Sequence, residues 1–499
     1  MQLRAHLMTA VVVLSLVAPL TLSQTTEPLN LDQLVAALKE TKVGLPTANK
    51  ILKKQVEDRG VTFEATAATD EDLKAAGATP ELITSIRHTI CDKFKKLAEA
   101  CAKDDADCRI KNYTKALESH PEDDVLLVDR GNEYSQKGEN VAAIADFTEA
   151  IKLDPKDPVA LFNRGNVHSR KGEHQSAISD YSRAIVLNPK DPSAFNNRGL
   201  TYYAIDEYDK AVKDFSSYIA LKPSAVDAYE NRGDSYLELG SMDPALKDFN
   251  KAISLDAKNA DLYVGRGRAY SGKGQYDAAI KEFDKALSLK KDSAHAFHNR
   301  GYTNSLRKAF DQAIADFTRS IELRPSASAF VDRGNAYVSK KEFANAKSDY
   351  SKAIELDPND QLAYYYRAEL ALYHLNDLES ALVDIRRAIE LKPQDPDSYY
   401  IRGTIYIDIE DYSSAIADFD KVISIEPKNS NAFASRGLIY LRTENYAKSV
   451  SDSTEAIRLD PKNAIAYENR GIAYEELGEA SKAAADRKRV EALNDQPKP

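Results

Sequence analysis

Residues that could bind a metal ion are few in this sequence. His295 and His298 lie one helical turn apart, which places two imidazoles on one face of a helix. No third ligand follows at a suitable spacing, so the pair is interpreted as ordinary helix-face residues and no metal or cofactor is predicted. The glycines follow a regular period and form no phosphate-binding loop. The sequence therefore predicts a protein that is not an enzyme.

The cysteines Cys91, Cys101 and Cys108 allow one disulfide if the chain is exported. On one continuous helix, Cys91 and Cys101 would lie roughly 15 Å apart, which is too far for a bond. Cys101 and Cys108 can instead meet across a corner between two helices. Two interpretations remain: a Cys101–Cys108 disulfide with Cys91 unpaired, or three free thiols.

The N-terminus has the features of an export signal. Basic residues precede an apolar run from Leu7 to Leu20, and small residues follow before Gln24. The run is shorter than the roughly 20 residues that a membrane-spanning helix needs. Residues 1–23 are therefore predicted to be a cleaved signal peptide, and the alternative is an uncleaved anchor. Membrane contact is expected only through a partner.

An Arg-Gly pair recurs along the chain and indicates which elements position the other residues. The interval is 34 residues, with one of 33 and one of 35, and Ala368 replaces the glycine after Arg367. The arginines are Arg130, Arg164, Arg198, Arg232, Arg266, Arg300, Arg333, Arg367, Arg402, Arg436 and Arg470. Alanine and aromatic columns recur with them, and most repeats close with proline. The pattern predicts two amphipathic helices per repeat, which stacked neighbours bury together.

This pattern resembles the tetratricopeptide repeat family. In the fourth repeat, the family columns fall on Tyr229, Gly233, Tyr236, Ala245, Phe249 and Ala252, with Ala257 in place of proline. The resemblance implies an all-α fold, a right-handed superhelix of helix–turn–helix repeats. It also implies a scaffold that binds protein or peptide segments, although the fold alone names no partner.

The repeats set the predicted domain boundaries. Residues 24–89 are predicted to form a small helical module of unknown role, and residues 90–121 a degenerate repeat. Eleven repeats follow over residues 122–495 and end in a helix with a polar outer face, as a terminal cap requires. Residues 496–499 are predicted to be a tail.

Each repeated arginine is matched by an acid that directly precedes the second-helix aromatic position. The first four arginines, Arg130, Arg164, Arg198 and Arg232, correspond to Asp146, Asp180, Asp214 and Asp248. One interpretation is a column of structural ion pairs, because a guanidinium can hold a carboxylate with two hydrogen bonds. The other is a basic stripe for an anionic ligand. The equal numbers of arginines and acids favour ion pairs.

The residue before the arginine is often asparagine. In superhelical members of the family, asparagines at this position hold the backbone of an extended peptide in the concave groove. The resemblance implies this role for Asn163, Asn197, Asn231, Asn299 and Asn469. An amide supplies both a donor and an acceptor, which suits backbone binding. The alternative is that neighbouring helices or water satisfy these amides.

The asparagine column is interrupted in the eighth and ninth repeats. Tyr365, Tyr366, Tyr400 and Ile401 form an apolar stretch there. This stretch either anchors side chains of a partner or provides extra packing where the glycine is lost.

The sequence thus predicts a non-catalytic, exported scaffold that binds partner peptides in its groove, secreted or held in a bacterial periplasm or envelope. The alternative is an accessory subunit of an envelope polysaccharide synthesis or secretion machine. A net charge of −10 offers no basic footprint for nucleic acid. No small-molecule substrate is expected.

Overall fold

The computed structural model of the protein describes residues 27–40, 45–63 and 67–494. Within these ranges the regular elements are helices, apart from an isolated parallel bridge between Leu29 and Val61. The predicted signal peptide and the predicted tail lie outside the described residues. None of the described helices is both long enough and apolar enough to cross a bilayer.

The first of two compact units reaches to Ser241. It holds the N-terminal module, the degenerate repeat, three full repeats and the first helix of the fourth. One hydrophobic cluster extends from Leu29 to Ala184, so the module shares its core with the repeats. The helices of this unit are Leu31–Lys39, Leu45–Arg59, Ala67–Ala75, Pro80–Glu99, Ala106–Ser119, Asp124–Gln136, Asn140–Leu153, Pro158–Arg170, His174–Leu187, Pro192–Tyr203, Tyr208–Leu221 and Val226–Glu238.

The helix that begins at Pro80 is longer than the sequence suggests. Thr79 caps its start, because the Thr79 hydroxyl accepts a hydrogen bond from the Leu82 amide. The helix continues past residue 90 to Glu99, because no glycine or proline interrupts it. The predicted boundary between residues 89 and 90 therefore falls inside a helix.

The second unit begins at Met242 and holds the second helix of the fourth repeat and repeats five to eleven. Its last helix buries Ala483 and Asp486 and turns its remaining, mostly polar residues outward. The helices are Met242–Leu255, Ala260–Gly272, Tyr276–Leu289, Ala294–Leu306, Phe310–Leu323, Ala327–Ser339, Phe343–Leu356, Gln361–Leu370, Leu378–Leu391, Pro396–Asp408, Tyr412–Ile425, Ser430–Arg442, Tyr446–Leu459, Ala464–Glu476 and Ala480–Asn494.

Within each unit, the first helices of successive repeats lie closer to one another than the second helices do. Pro158–Arg170 contacts Pro192–Tyr203 in the first unit, and Ala327–Ser339 contacts Gln361–Leu370 in the second. No comparable contact joins second helices among the described residues. The first helices therefore line the inner side of the local curve. Their sides away from the second helices, which carry the asparagine column, are here termed the first-helix face.

The repeated glycine gives the aromatic ring of the second helix its space. A methyl group at Gly199 would lie 2.8 Å from the Phe215 ring. In the eighth repeat, Ala368 replaces the glycine and the smaller Ile385 replaces the ring, and both are fully buried. The two changes conserve volume, so the helices keep their close approach.

The one interval of 33 residues lies between Arg300 and Arg333. It shortens the turn between the helices that end at Leu323 and begin at Ala327. This turn lies between two repeats, so the helices on either side keep the common length.

The one interval of 35 residues is accommodated differently. Its extra residue lies between Arg367 and Asp384, which are 17 residues apart where the other pairs are separated by 16. A π-helical turn, Ala371–Leu375, takes up this residue at the end of the first helix of the eighth repeat. Such turns insert a single residue into a helix and are frequent at functional sites.

Candidate functional site on the first-helix face

Most of the repeated arginines hold the predicted acids with two hydrogen bonds each. In the third repeat, Arg198 Nη2 lies 2.7 Å from Asp214 Oδ1, and Nε lies 2.7 Å from Oδ2. The shortest contact is 2.8 Å in the Arg130–Asp146 pair and 2.7 Å in the Arg164–Asp180 pair. The three aspartates are buried, and the bonds to Asp214 raise the pKa of Arg198. These guanidinium charges are therefore neutralised within each repeat. The arginine, acid, glycine, aromatic and alanine columns that recur in the repeats are here termed the frame.

The fourth arginine, Arg232, donates a hydrogen bond to the Ser216 hydroxyl at 2.9 Å and stacks over the Tyr229 ring. Its predicted partner, Asp248, belongs to the second compact unit. The Arg232–Asp248 pairing stays a prediction.

A third hydrogen bond of the repeated arginines links successive repeats. This bond was not predicted from the sequence. Arg198 Nη1 donates to the Ser182 hydroxyl of the preceding repeat at 2.9 Å. Arg300 makes the same contact to Asp284 at 2.6 Å. The signal was available, because a short polar residue directly follows the aromatic of most repeats. Each of these arginines therefore fastens its own repeat and the one before it.

In the first unit, the predicted asparagines donate to the preceding repeat. Asn163 Nδ2 lies 2.8 Å from Asn132 Oδ1, and Asn197 Nδ2 lies 2.8 Å from Asn166 Oδ1. Asn231 Nδ2 lies 3.4 Å from Asn196 Oδ1. These amide donors already have partners within the protein. Peptide binding by this column stays a prediction.

In the second unit, the predicted asparagines bond to backbone carbonyls. Asn299 donates to the His295 carbonyl at 2.9 Å, within its own helix. Asn469 is buried and donates to the Ala434 carbonyl at 3.0 Å. A side chain as buried as Asn469 offers little surface to a peptide.

The four residues of the predicted apolar stretch occupy different surroundings. The rings of Tyr365 and Tyr366 meet edge to face at 5.3 Å. Tyr400 packs on Phe419, and Ile401 is buried in the core of the eighth repeat. The structure therefore brings the two tyrosines of the eighth repeat together and uses Ile401 for packing.

A cavity of about 420 Å³ opens between the first helices of the seventh and eighth repeats. Tyr366 lines it, together with Glu369 and with Tyr373 and His374 of the π turn. The Tyr373 side chain is 52% exposed. Sequence reasoning missed Glu369, Tyr373 and His374. The extra residue of the 35-residue interval was a signal for them, but it did not show where the chain would accommodate it.

The carboxyl group of Glu369 lies in an unfavourable electrostatic environment. Its pKa is raised, first by burial and then by the charge of Asp397. Burial also raises the pKa of Tyr366 and Tyr373, and the negative charge of Glu369 adds to both shifts. The acidic groups around the cavity therefore lack a charge partner that would favour their ionised forms.

The structure also shows the surroundings of the cysteines and of His298. Cys101 and Cys108 are joined by a disulfide with their Cα atoms 6.0 Å apart, while Cys91 is a buried free thiol whose pKa is raised by burial. His298 contacts Asp332 at 2.8 Å. The described part of the chain contains no cluster of three metal-ligating side chains.

Comparison with known proteins gives matches to repeat profiles and to solved structures, and none to a curated protein. A tetratricopeptide repeat protein from Parabacteroides merdae ATCC 43184 is 22% identical, with a TM-score of 0.46, over 50% of this chain and 98% of that chain. The MamA protein is 30% identical, with a TM-score of 0.33, over 35% and 95%. YrrB, described as a TPR protein with an unusual peptide-binding site, is 24% identical, with a TM-score of 0.35, over 37% and 96%.

The profile matches follow the helix pairs of the structure. Tetratricopeptide repeat profiles match residues 165–233, 327–360, 396–429, 430–463 and 454–485. A profile described as TPR repeat matches residues 131–172, 233–274 and 267–305. Together these matches span more than half of the chain, and it belongs to the tetratricopeptide repeat family.

Proposed function

We propose that this protein is an exported scaffold that binds segments of partner proteins on its first-helix face. Membership of a family of generally non-catalytic interaction scaffolds supports the general role. The apolar run from Leu7 to Leu20 supports export, in a bacterium to the periplasm, the envelope or the medium. The finer part of the proposal concerns where the partner binds.

The cavity between the seventh and eighth repeats is the observation that carries this proposal. Its volume of about 420 Å³ is in the range of ligand-binding cavities, which start at about 300 Å³. Tyr373 at its edge is half exposed, and a tyrosine ring buries a large area at little cost in conformational entropy. Side chains of an extended peptide can enter such a cavity from the inner side of the curve.

The asparagine column is proposed as a secondary contact surface. Its amide donors are engaged with the preceding repeat in the first unit, so a peptide there must use the remaining acceptor capacity or displace these bonds. The cavity of the eighth repeat requires no such exchange. Partner binding is therefore expected to depend more on the eighth repeat than on Asn163, Asn197 or Asn231.

A random-peptide display selection against the purified full-length chain tests the proposal. Selected peptides are then measured by fluorescence anisotropy against the wild type and the variant Tyr373→Ser. The matched control is Val383→Ser, because Val383 is 64% exposed on the second helix of the same repeat. We expect Tyr373→Ser to weaken binding about tenfold or more, since interface aromatics commonly contribute that much. Failure to select any peptide, or equal effects of the two variants, would contradict the proposal.

Export is tested separately with a reporter. Residues 1–60 fused to an enzyme that is active only after export should give activity in a bacterial host, and the product should begin at Gln24. A cytoplasmic, uncleaved product would contradict this part of the proposal and leave peptide binding unaffected.

A further inference from the structure

We propose that the cavity between the seventh and eighth repeats receives a cationic side chain, lysine or arginine, from the partner segment. This inference rests on the proposed function and names the chemistry that the site recognises. Its basis is the charge, the ring content and the size of the cavity.

The charges around the cavity are acidic. Glu369 lines it, and the carboxylates of Asp332 and Asp397 act on the neighbouring Tyr366. No lysine or arginine is among the described residues that line this cavity. Arg367, on the same helix, is held by Asp384 with contacts of 2.7 and 2.8 Å. A cation from outside would therefore meet the Glu369 carboxyl group in a cavity where His374 is the one basic residue among the described lining residues.

Two other cavities of the second unit have basic residues in their lining. The one beside Asn299 is lined by Arg268 and Lys273, and the one beside Asp384 by Lys347 and Arg367. Basic residues are thus common in cavities of this chain. In the cavity of the eighth repeat, Asn335 stands at the repeat position of Arg268.

The rings of Tyr366 and Tyr373 provide a second attraction for a cation. Tyr350 and Tyr366 stack at 6.1 Å with an angle of 20°, and Tyr373 lines the same cavity. The face of an aromatic ring is negative and attracts ammonium and guanidinium groups. The chain uses this contact internally, since the Arg402 guanidinium lies 5.5 Å from the centre of the Tyr399 ring.

Other occupants fit less well. An anionic side chain would be repelled by Glu369. A purely apolar side chain would remove water from the Glu369 carboxylate without supplying a counter-charge, which is strongly unfavourable. A lysine or arginine stem can lie along the rings while its charged end reaches the carboxylate.

The test uses the peptides selected by the full-length chain. We expect lysine or arginine to be enriched at one peptide position. Replacing that lysine by norleucine, or that arginine by citrulline, should weaken binding to the wild-type chain about tenfold or more, because the shape remains while the charge is lost. These changes leave the protein untouched, so misfolding does not affect the result.

The isosteric variant Glu369→Gln completes a double-mutant cycle. It should weaken binding of the lysine or arginine peptide several-fold and leave binding of the neutral peptide almost unchanged. Val383→Ser should change neither affinity. Selected peptides that bind through acidic or purely apolar anchors, or an unchanged affinity of Glu369→Gln, would overturn this inference and leave the proposed function standing. A selection that yields no binding peptide would overturn both.

Discussion

The third and eighth repeats share one frame and present different faces. In the third, Arg198 holds Asp214 at 2.7 Å, and in the eighth, Arg367 holds Asp384 at 2.7 Å. On the face, the third repeat places Asn197, whose amide is bound by the repeat before it. The eighth repeat places Tyr366 and Glu369 around a cavity instead.

The difference shows that the buried and the exposed positions of a repeat have separate roles. The buried columns hold the two helices together and stay nearly constant. The face varies because it carries little of that packing. In the third repeat the amide of Asn197 is hydrogen-bonded within the protein. In the eighth repeat the Glu369 carboxyl group lies in an unfavourable electrostatic environment. A group that weakens the free protein in this way gains stabilisation when a suitable ligand arrives.

The largest expected effect tests the shared frame. Asp214→Asn and Asp384→Asn should each lower the free energy of unfolding by about 3 kcal/mol, because each leaves a largely buried guanidinium without its counter-charge. Urea unfolding, with hydrogen exchange to locate the weakened repeat, measures this. Lys152→Met, which removes an exposed ion pair with Glu149, should cost below about 0.5 kcal/mol. If only one of the two repeats were sensitive, the idea of a common frame would fail.

The next effect concerns the contact between the glycine and the aromatic ring, where the third and eighth repeats differ in sequence. Gly199→Ala should destabilise the third repeat by about 1–3 kcal/mol, because the new methyl group would lie 2.8 Å from the Phe215 ring. Adding Phe215→Ile should recover part of this loss, as Ala368 and Ile385 do in the eighth repeat. A double-mutant cycle in urea measures the coupling. Strictly additive effects would show that the two positions do not compensate.

A smaller effect tests the hydrogen bonds between asparagine side chains on the first-helix face. Asn197→Ala should cost about 1 kcal/mol, because it removes the 2.8 Å hydrogen bond to Asn166. Asn166 keeps its other bond, from the Tyr181 hydroxyl, so the loss stays modest. Thermal unfolding of the variant and of the Asn166→Ala control measures it. An unchanged stability would mean that solvent replaces this bond without cost.

The smallest effect has the opposite sign. Since the folded-state pKa of Glu369 is raised, the contribution of this carboxyl to stability is present in acid and is lost as the pH rises. Glutamine cannot ionise, so Glu369→Gln should be slightly more stable than the wild type at pH 7. The gain should vanish as the pH falls below the ordinary value of 4.5. Unfolding curves between pH 4 and pH 7 check the sign, and a variant that is less stable at pH 7 would contradict it.

The frame could be predicted because its residues repeat. Arginine, glycine, aromatic and alanine columns recur every 34 residues, and each has one packing role. The predicted family and all-α fold are confirmed.

Features that do not recur with the repeat were harder to predict from the sequence. The helix from Pro80 crosses the predicted domain boundary between residues 89 and 90, because the local sequence contains no glycine or proline to end it. The partners of Asn163 and Asn197 depend on the distance between neighbouring helices, which a single sequence does not give. The cavity depends on where one extra residue is accommodated. The turn before Ala327 shows that a length change can also fall between repeats.

The π turn at Ala371–Leu375 bears on how such a protein can change over generations. In a repeat array, an added residue in one unit can shift the register of every later unit. Here the disturbance ends within one turn, and Arg402 again meets Asp418 at 2.7 Å. A single-codon insertion can thus create a new recess in one unit while its neighbours retain their inherited design.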